Sequence, residues 1–469
     1  MAIQTTEQTD DAAAHATIVN TGAPKRVAEL LDTVSLYLHI PFCHAKCHYC
    51  DFNSYAGMLG LREDYVAALV DEIALAGRRA ALPDGAPRRC RTIFFGGGTP
   101  SLLTAEQVAA ILVAARDAFA VDAEAEITLE ANPGTLEYGH LDRLRAVGVN
   151  RLSMGAQSFD PALLKWMGRI HSPEEIEIAF RAARVAGFDN VNLDFIFALP
   201  GQSLTTWQDT LERAIALAPE HLSLYSLIVE EGTPLFTWVK QGKVHEADED
   251  LAADMYEYAE ARLATAGYRQ YEISNWATPG HTCQHNLTYW RNLPYIGLGA
   301  GAHGSFADHR YVEARGVRDY IAHVRATLAT ETAARTAHGQ PSERRSAAQA
   351  DARRKPLPII PATVSGAVQP TNKSSLSDAL PAGAVVADDA IPRETAMVET
   401  AMVSLRLVEG LDLAAFAARF GCAFDSVFGA RLADVRELGL LEETAGFLRL
   451  TEHGRLLGNE VFMRLLPDE

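Results

Sequence analysis

Cysteine is scarce in this chain, with six in 469 residues. That excludes a disulfide-stapled scaffold and points to a reducing setting, the cytoplasm, where clustered thiols serve metal or redox chemistry. Basic residues are outnumbered, with 42 Lys and Arg against 60 Asp and Glu, giving a formal net charge of −18. Nucleic acid is therefore not expected as a partner. No apolar run reaches the length of a membrane-spanning helix, so direct membrane insertion is not expected either. The first residues lack the apolar core of a secretory signal. They carry Glu7, Asp10 and Asp11 and no arginine before Arg26, which argues against a mitochondrial presequence. Residues 1–33 are expected to form a disordered tail.

From about residue 35, short β-branched or aromatic runs alternate with helical-period segments. Six strand candidates occur in series: SLYLHI, RTIFF, AEITLEANP, RLSMGAQS, NVNLDFIFALPG and HLSLYSLIV. Helical patterns follow them, and two open on capping boxes, Thr104 with Gln107 and Ser172 with Glu175. Six βα units imply a parallel sheet with helical crossovers, either curved into a barrel or open and doubly wound. Residues 34–329 are expected to form this core. Residues 330–392, rich in Ala, Ser, Pro and Arg and without periodicity, are expected to be a disordered insertion. Residues 393–469 resume helical texture and are expected to form a small, mostly helical, winged-helix-like domain.

In a series of βα units, functional groups gather where the strands end. Cys43, Cys47 and Cys50 follow the first strand, and Gly96, Gly97, Gly98, Thr99 and Pro100 follow the second. Glu130 and Asn132 end the third, Gln157 and Ser158 end the fourth, and Asp194 lies on the fifth. Arg169 falls on the helical side of the fourth. A structural zinc site calls for four closed ligands. His44 and His48 lie inside the same short loop and would be strained as the fourth. The C-x3-C-x2-C spacing suits an iron–sulfur cubane better, with three irons on thiolates and one left open. Cys90 and Cys422 are assigned to packing.

This cysteine loop, with GGGTP after the second strand, resembles the radical S-adenosylmethionine superfamily. The resemblance implies a partial (β/α)6 barrel and a [4Fe–4S] cluster on Cys43, Cys47 and Cys50. It also implies S-adenosylmethionine chelating the open iron, with reductive cleavage to a deoxyadenosyl radical. Gly97, Gly98 and Thr99 would admit its methionyl part, and Tyr49 would lie against the adenine. Glu130, Gln157, Arg169 and Asp194 match its polar contacts in the porphyrin-related branch, and Tyr37 is counted with them as a residue that would bind S-adenosylmethionine. Each of these residues also has a plain alternative as part of a turn, a packed ring or a barrel-mouth ion pair.

YLHIPFC, with Tyr37 and His39 ahead of Cys43, resembles that branch, the oxygen-independent coproporphyrinogen III dehydrogenases and their relatives. So do ITLEANPGT, RLSMGAQSF, NLDFIFALPGQ and YIGLGAGAHG. In two features the chain resembles the haem-chaperone sub-family. Phe52 stands where the dehydrogenases have a fourth cysteine, and HNLTYW (285–290) is associated with haem binding there. A neutral His285 can ligate haem iron, and Tyr289 and Trp290 can offer apolar faces to a porphyrin. His281 and Cys283 are nearby alternatives as ligands, and the plain alternative for His285 is a packed structural histidine. The resemblance implies haem and haem-acceptor proteins as partners, and an electron donor such as a flavodoxin or ferredoxin if reductive chemistry occurs. The rival function is oxidative decarboxylation of coproporphyrinogen III. An iron–sulfur or zinc scaffold without catalysis is the third.

Overall fold

The computed structural model describes residues 32–337 and 380–466. Twelve strands join in one sheet. In chain order they are β1 (Thr33–Ile40), β2 (Arg89–Gly97), β3 (Ala120–Ala131), β4 (Arg151–Gln157), β5 (Val191–Phe197) and β6 (His221–Ser226). There follow β7 (Arg269–Glu272), β8 (Asn275–Ala277), β9 (Tyr295–Leu298), β10 (His303–Phe306), β11 (His309–Glu313) and β12 (Val385–Ala390). Strands β1 to β6 lie side by side in sequence order, all parallel. That order has no switch point, which rules out the doubly wound alternative. Right-handed crossovers between successive neighbours put every helix on the same side and leave the other face free to curve inward. The sheet does not close. Its edges are β12 and β7, so the barrel is partial.

The crossover helices are α1 (Arg62–Arg79), α2 (Ala105–Ala118) and α3 (Tyr138–Ala146), then α4 (Pro161–Met167), α5 (Pro173–Val185) and α6 (Leu204–Leu217). Both expected capping boxes form, at the starts of α2 and α5. Beyond β6 come α7 (Pro234–Lys240), α8 (Glu249–Thr265), α9 (Gln284–Trp290), α10 (Val317–Ala337) and α11 (Arg393–Ser404). Residues such as Leu36, Leu38, Ile93, Phe95, Leu129 and Leu193 alternate along the strands and are fully buried in the main core. Strand β9 adds a seventh parallel member, pairing β1 from Ser35–Tyr295 to Leu38–Leu298. A carboxylate locks this addition. Glu72, buried on α1, accepts from Gly299 N (3.0 Å), Gly383 N (2.8 Å) and the Tyr320 hydroxyl (2.6 Å).

The expected insertion is shorter than residues 330–392. Helix α10 runs to Ala337, and Leu380, Ala382 and Ala384 are buried in the main core. Strand β12 pairs antiparallel with β11. Apolar residues spaced two apart satisfy a sheet edge even inside a low-complexity stretch. Thr33 likewise belongs to β1 rather than to a tail. Residues 1–31 and 338–379 lie outside the described residues.

The C-terminal segment has its own core, built on Phe416, Phe420, Phe424 and Phe428. Its small sheet pairs Leu441–Thr444 with Phe447–Leu450 around the left-handed Ala445 and Gly446, and Leu411–Asp412 completes it. Arg310 binds Glu399 through two contacts of 2.8 and 2.7 Å, and Arg419 donates to Asn292 O at 2.7 Å.

Candidate functional site

The cysteine loop begins where Phe42–Cys43 pairs in parallel with Tyr55–Ala56. All three of its thiols are half-buried. The Thr99 hydroxyl lies 3.5 Å from Cys43 Sγ, and Arg169 Nη1 donates to Cys47 Sγ at 3.4 Å. Burial, then the neighbouring Cys47 and Cys43, push the Cys50 thiol up to about 11. His48 is turned away from the sulfurs. Its Nδ1 bonds Trp166 O at 2.8 Å, and its ring packs edge-on to Trp238 at 5.0 Å. His44 is exposed. Among the described residues, no three His, Cys, Asp or Glu side chains are arranged to hold a single metal ion. The ligands of a cubane bind separate irons and stand further apart.

The glycines tie the second loop to the first. Gly98 N donates to Ile40 O (2.9 Å) and Thr99 N to Phe42 O (2.8 Å). A Cβ on Gly98 would stand 2.7 Å from Phe42 O. Gly97 has φ +109°, and a Cβ there would run into the His39 ring. Any side chain at these positions would push the two loops apart.

Deeper in the mouth, Glu130 Oε2 accepts from Gly97 N at 3.1 Å. Burial, then Asp194, push its carboxyl up to about 8. Asp194 accepts from Asn192 (2.8 Å) and Ser153 (3.3 Å), and burial raises its pKa too. Arg169 Nη2 donates to Gly155 O at 2.7 Å, while its buried Nε has no partner among the described residues. Burial opposes the Arg169 charge, but Tyr49 and Cys47 beside it outweigh that and raise its pKa. Gln157 holds φ +67° at a bulge ending β4, a conformation rare outside glycine and frequent at functional sites. Tyr49 packs among Leu163, Met167 and Leu199. The structure thus brings Cys43, Cys47, Cys50, Tyr49, Gly97, Gly98, Thr99, Glu130, Gln157, Arg169 and Asp194 to one end of the strands.

Tyr37 sits one layer below, where burial raises its pKa above the usual phenol range. Its hydroxyl bonds His39 Nδ1 at 3.0 Å, and His39 Nε2 bonds Asn53 O at 2.9 Å. Asn53 Nδ2 in turn donates to Ala300 O (2.8 Å) and Arg315 O (3.0 Å). This chain anchors the cysteine loop to the YIGLGAGAHG segment. Its role escaped sequence reasoning, although Tyr37 and His39 share the two-residue period of an inward face.

His285 is elsewhere. Helix α9 plugs the opposite end of the barrel, with Ser35 bonded to Thr288 (2.9 Å) and Glu126 accepting from Gln284 N and His285 N. His285 Nδ1 bonds the Thr92 hydroxyl at 2.7 Å and Nε2 the Tyr289 hydroxyl at 2.9 Å. Its ring stacks on Phe94 at 4.9 Å, and only 1% of the residue is exposed. Along β2, Thr92 and Gly97 are separated by about 17 Å at a strand's rise per residue. In this conformation both ring nitrogens of His285 are engaged and the residue is buried, so a haem iron would have to displace Thr92 or Tyr289 to reach it. Cys283 is buried with its Sγ facing Glu126, whereas His281 is half-exposed and bonds Thr278 through Nδ1.

Comparison with known proteins follows this geometry. The Radical SAM superfamily matches residues 37–214, and the HemN C-terminal domain matches residues 391–457. A Bacillus subtilis protein named Heme chaperone HemW is 34% identical over 435 residues, which span 92% of this chain and 99% of that one. The chain belongs to the HemW family. The Escherichia coli Heme chaperone HemW is 43% identical over 290 residues, covering 60% of this chain and 72% of the other. The solved structure of coproporphyrinogen III oxidase (HemN) from Escherichia coli matches with a TM-score of 0.68 at 22% identity, over 92% of this chain and 90% of that one. The HemW-family chain therefore shares the HemN fold, including the C-terminal domain. Among the described residues, no helix is long and apolar enough to cross a membrane.

Proposed function

We propose that this chain is a haem chaperone, which binds haem and passes it to acceptor proteins. The observation that carries this is the end-to-end match to the Bacillus relative of that name. Phe52 supports it. The residue stands where the decarboxylating dehydrogenases have a fourth cysteine, and it is 62% exposed.

The mouth suits a [4Fe–4S] cluster and S-adenosylmethionine, the cofactors implied by the superfamily. Cys43, Cys47 and Cys50 would hold the cluster, and the buried Arg169 Nε, without a partner among the described residues, leaves charge for an amino acid. Glu130 would serve the ammonium or ribose, Asp194 the ribose, Arg169 the carboxylate and Tyr49 the adenine. Gln157 and Thr99 complete the polar rim. Tyr37 supports this layer from below. When bound, the pair supplies reductive chemistry at an open iron. The protein's own part is to position the cofactor and, at Glu130, to release a proton when an ammonium arrives. An electron donor such as a flavodoxin or ferredoxin enters wherever the cluster is reduced.

The test uses anaerobically reconstituted protein. Haemin is titrated in one arm, and coproporphyrinogen III with S-adenosylmethionine is supplied in the other. Stoichiometric haemin uptake without decarboxylation is expected. Formation of protoporphyrinogen IX over many turnovers would overturn the proposal in favour of the enzyme.

A further inference from the structure

Gln157 stays in its left-handed conformation (φ +67°) only where the surroundings over-determine it, because such backbone otherwise relaxes. The two carbonyls ahead of it are each met by a side chain. Arg169 Nη2 donates to Gly155 O at 2.7 Å, and His171 Nε2 lies 3.1 Å from Ala156 O. Both side chains come from the connection between α4 and α5. That connection is itself fixed. Gly168 closes α4 with φ +77°, Arg169 N donates to Leu164 O at 2.9 Å, and the Ser172 capping box opens α5. The same connection reaches the cysteine loop, through Arg169 Nη1 on Cys47 Sγ at 3.4 Å.

His171 also reaches the end of β3, with Nδ1 3.0 Å from Asn132 Oδ1. It is 4% exposed. Burial, then Arg169, lower its pKa to about 4, so the ring is neutral and has one N–H to give. Neither oxygen depends on that proton. Ala156 O also accepts from Ser158 N at 2.9 Å, and Asn132 Oδ1 from Gly134 N at 3.2 Å. With both acceptors already satisfied, the histidine contributes direction to the bulge more than it contributes hydrogen bonds to the fold.

Resting on the reading of the mouth as an S-adenosylmethionine site, we infer that His171 is a positioning residue for that site. Its Nε2 proton, on Ala156 O, pins the β4 bulge, and with it Gln157 and the carbonyl that holds Arg169. It acts on the cofactor through those two residues.

Full-length, cluster-reconstituted protein is titrated with S-adenosylmethionine by calorimetry, with heat denaturation and iron and sulfide analysis alongside. His171→Phe keeps a ring and removes both nitrogens. It should weaken binding about five- to tenfold, the worth of one hydrogen bond, with iron and sulfide unchanged. A glutamine amide puts a donor near the place of Nε2, and an asparagine amide near that of Nδ1. His171→Gln should therefore regain most of the affinity and His171→Asn little of it, at similar Tm. If His171→Phe does not fold, the glutamine and asparagine variants carry the comparison. Equal recovery in the two, recovery in His171→Asn alone, or affinities that simply follow Tm would overturn the proposal. So would a folded His171→Phe that binds like the unsubstituted protein. Gln157→Ala and Arg169→Lys test the reading beneath it. If they bind weakly while His171→Phe binds normally, only the role of His171 falls. If the unsubstituted protein binds no S-adenosylmethionine, both fall.

Discussion

Replacing His285 with alanine separates a structural histidine from a haem ligand. The imidazole satisfies two buried hydroxyls, Thr92 at 2.7 Å and Tyr289 at 2.9 Å, and stacks on Phe94 at 4.9 Å. Each hydroxyl left unpaired costs about 1–3 kcal/mol. The lost stack adds about 0.5–1.5 kcal/mol, before any cavity term. The total is roughly 2.5–7.5 kcal/mol. For a large domain that corresponds to a fall in Tm on the order of 10 °C. His285→Gln, which can keep one hydrogen bond, should recover part of it. Calorimetry or circular dichroism measures the transition, and haemin titration well below it measures binding. The folded variant should take up haemin like the unsubstituted protein. An unchanged Tm together with lost haemin binding would refute the reasoning and return His285 to the iron.

Buried neutral histidines make the fold acid-sensitive. Burial holds His39, His171 and His303 at about 4 and His285 at about 3. The unfolded chain takes up these protons first, near 6.5, so stability should fall as pH drops from about 6.5 towards 4. Urea midpoints across that range check it, and a flat profile would contradict the burial. Glu130 works in the opposite direction. Its carboxyl, at about 8, favours the folded state at low pH, a contribution lost as pH rises through 8. S-adenosylmethionine binding should accordingly strengthen from pH 6 to 8 and release a proton, and Glu130→Gln should flatten that dependence in calorimetry. Cys47→Ala should abolish the visible iron–sulfur absorbance, while Phe52→Cys should leave iron and sulfide content unchanged. Retained iron and sulfide in Cys47→Ala would refute the cluster assignment. Glu72→Ala removes the acceptor of three buried donors, and heat denaturation should show a loss of about 4 kcal/mol or more.

The parallel core was legible because each of β1 to β6 contains a short stretch of aliphatic, β-branched or aromatic residues set between helical periods. The mouth residues were legible because they sit where those runs stop. Strand β9 was not recognised as a strand, since YIGL is short and followed by glycines whose task is to meet Glu72 and Asn53. Strand β12 hides in a low-complexity stretch that only its pairing with β11 explains. His285 is ambiguous in sequence for a physical reason. A seven-residue helix carries too little periodicity to show which side faces the core, and a histidine satisfied by two hydroxyls reads the same in sequence as one awaiting a metal. The Tyr37–His39–Asn53 chain depends on residues far apart in sequence, so no local pattern announces it.

Transfer of haem is the most direct test of the central claim. Reconstituted protein is loaded with one equivalent of haemin and mixed with an apo-haemoprotein, with and without S-adenosylmethionine. The account predicts decay of the donor's Soret band with matched growth of the acceptor's, at a rate above that of free haemin release. Haemin that never leaves the protein, or reaches the acceptor only as fast as spontaneous dissociation into solution, would contradict it.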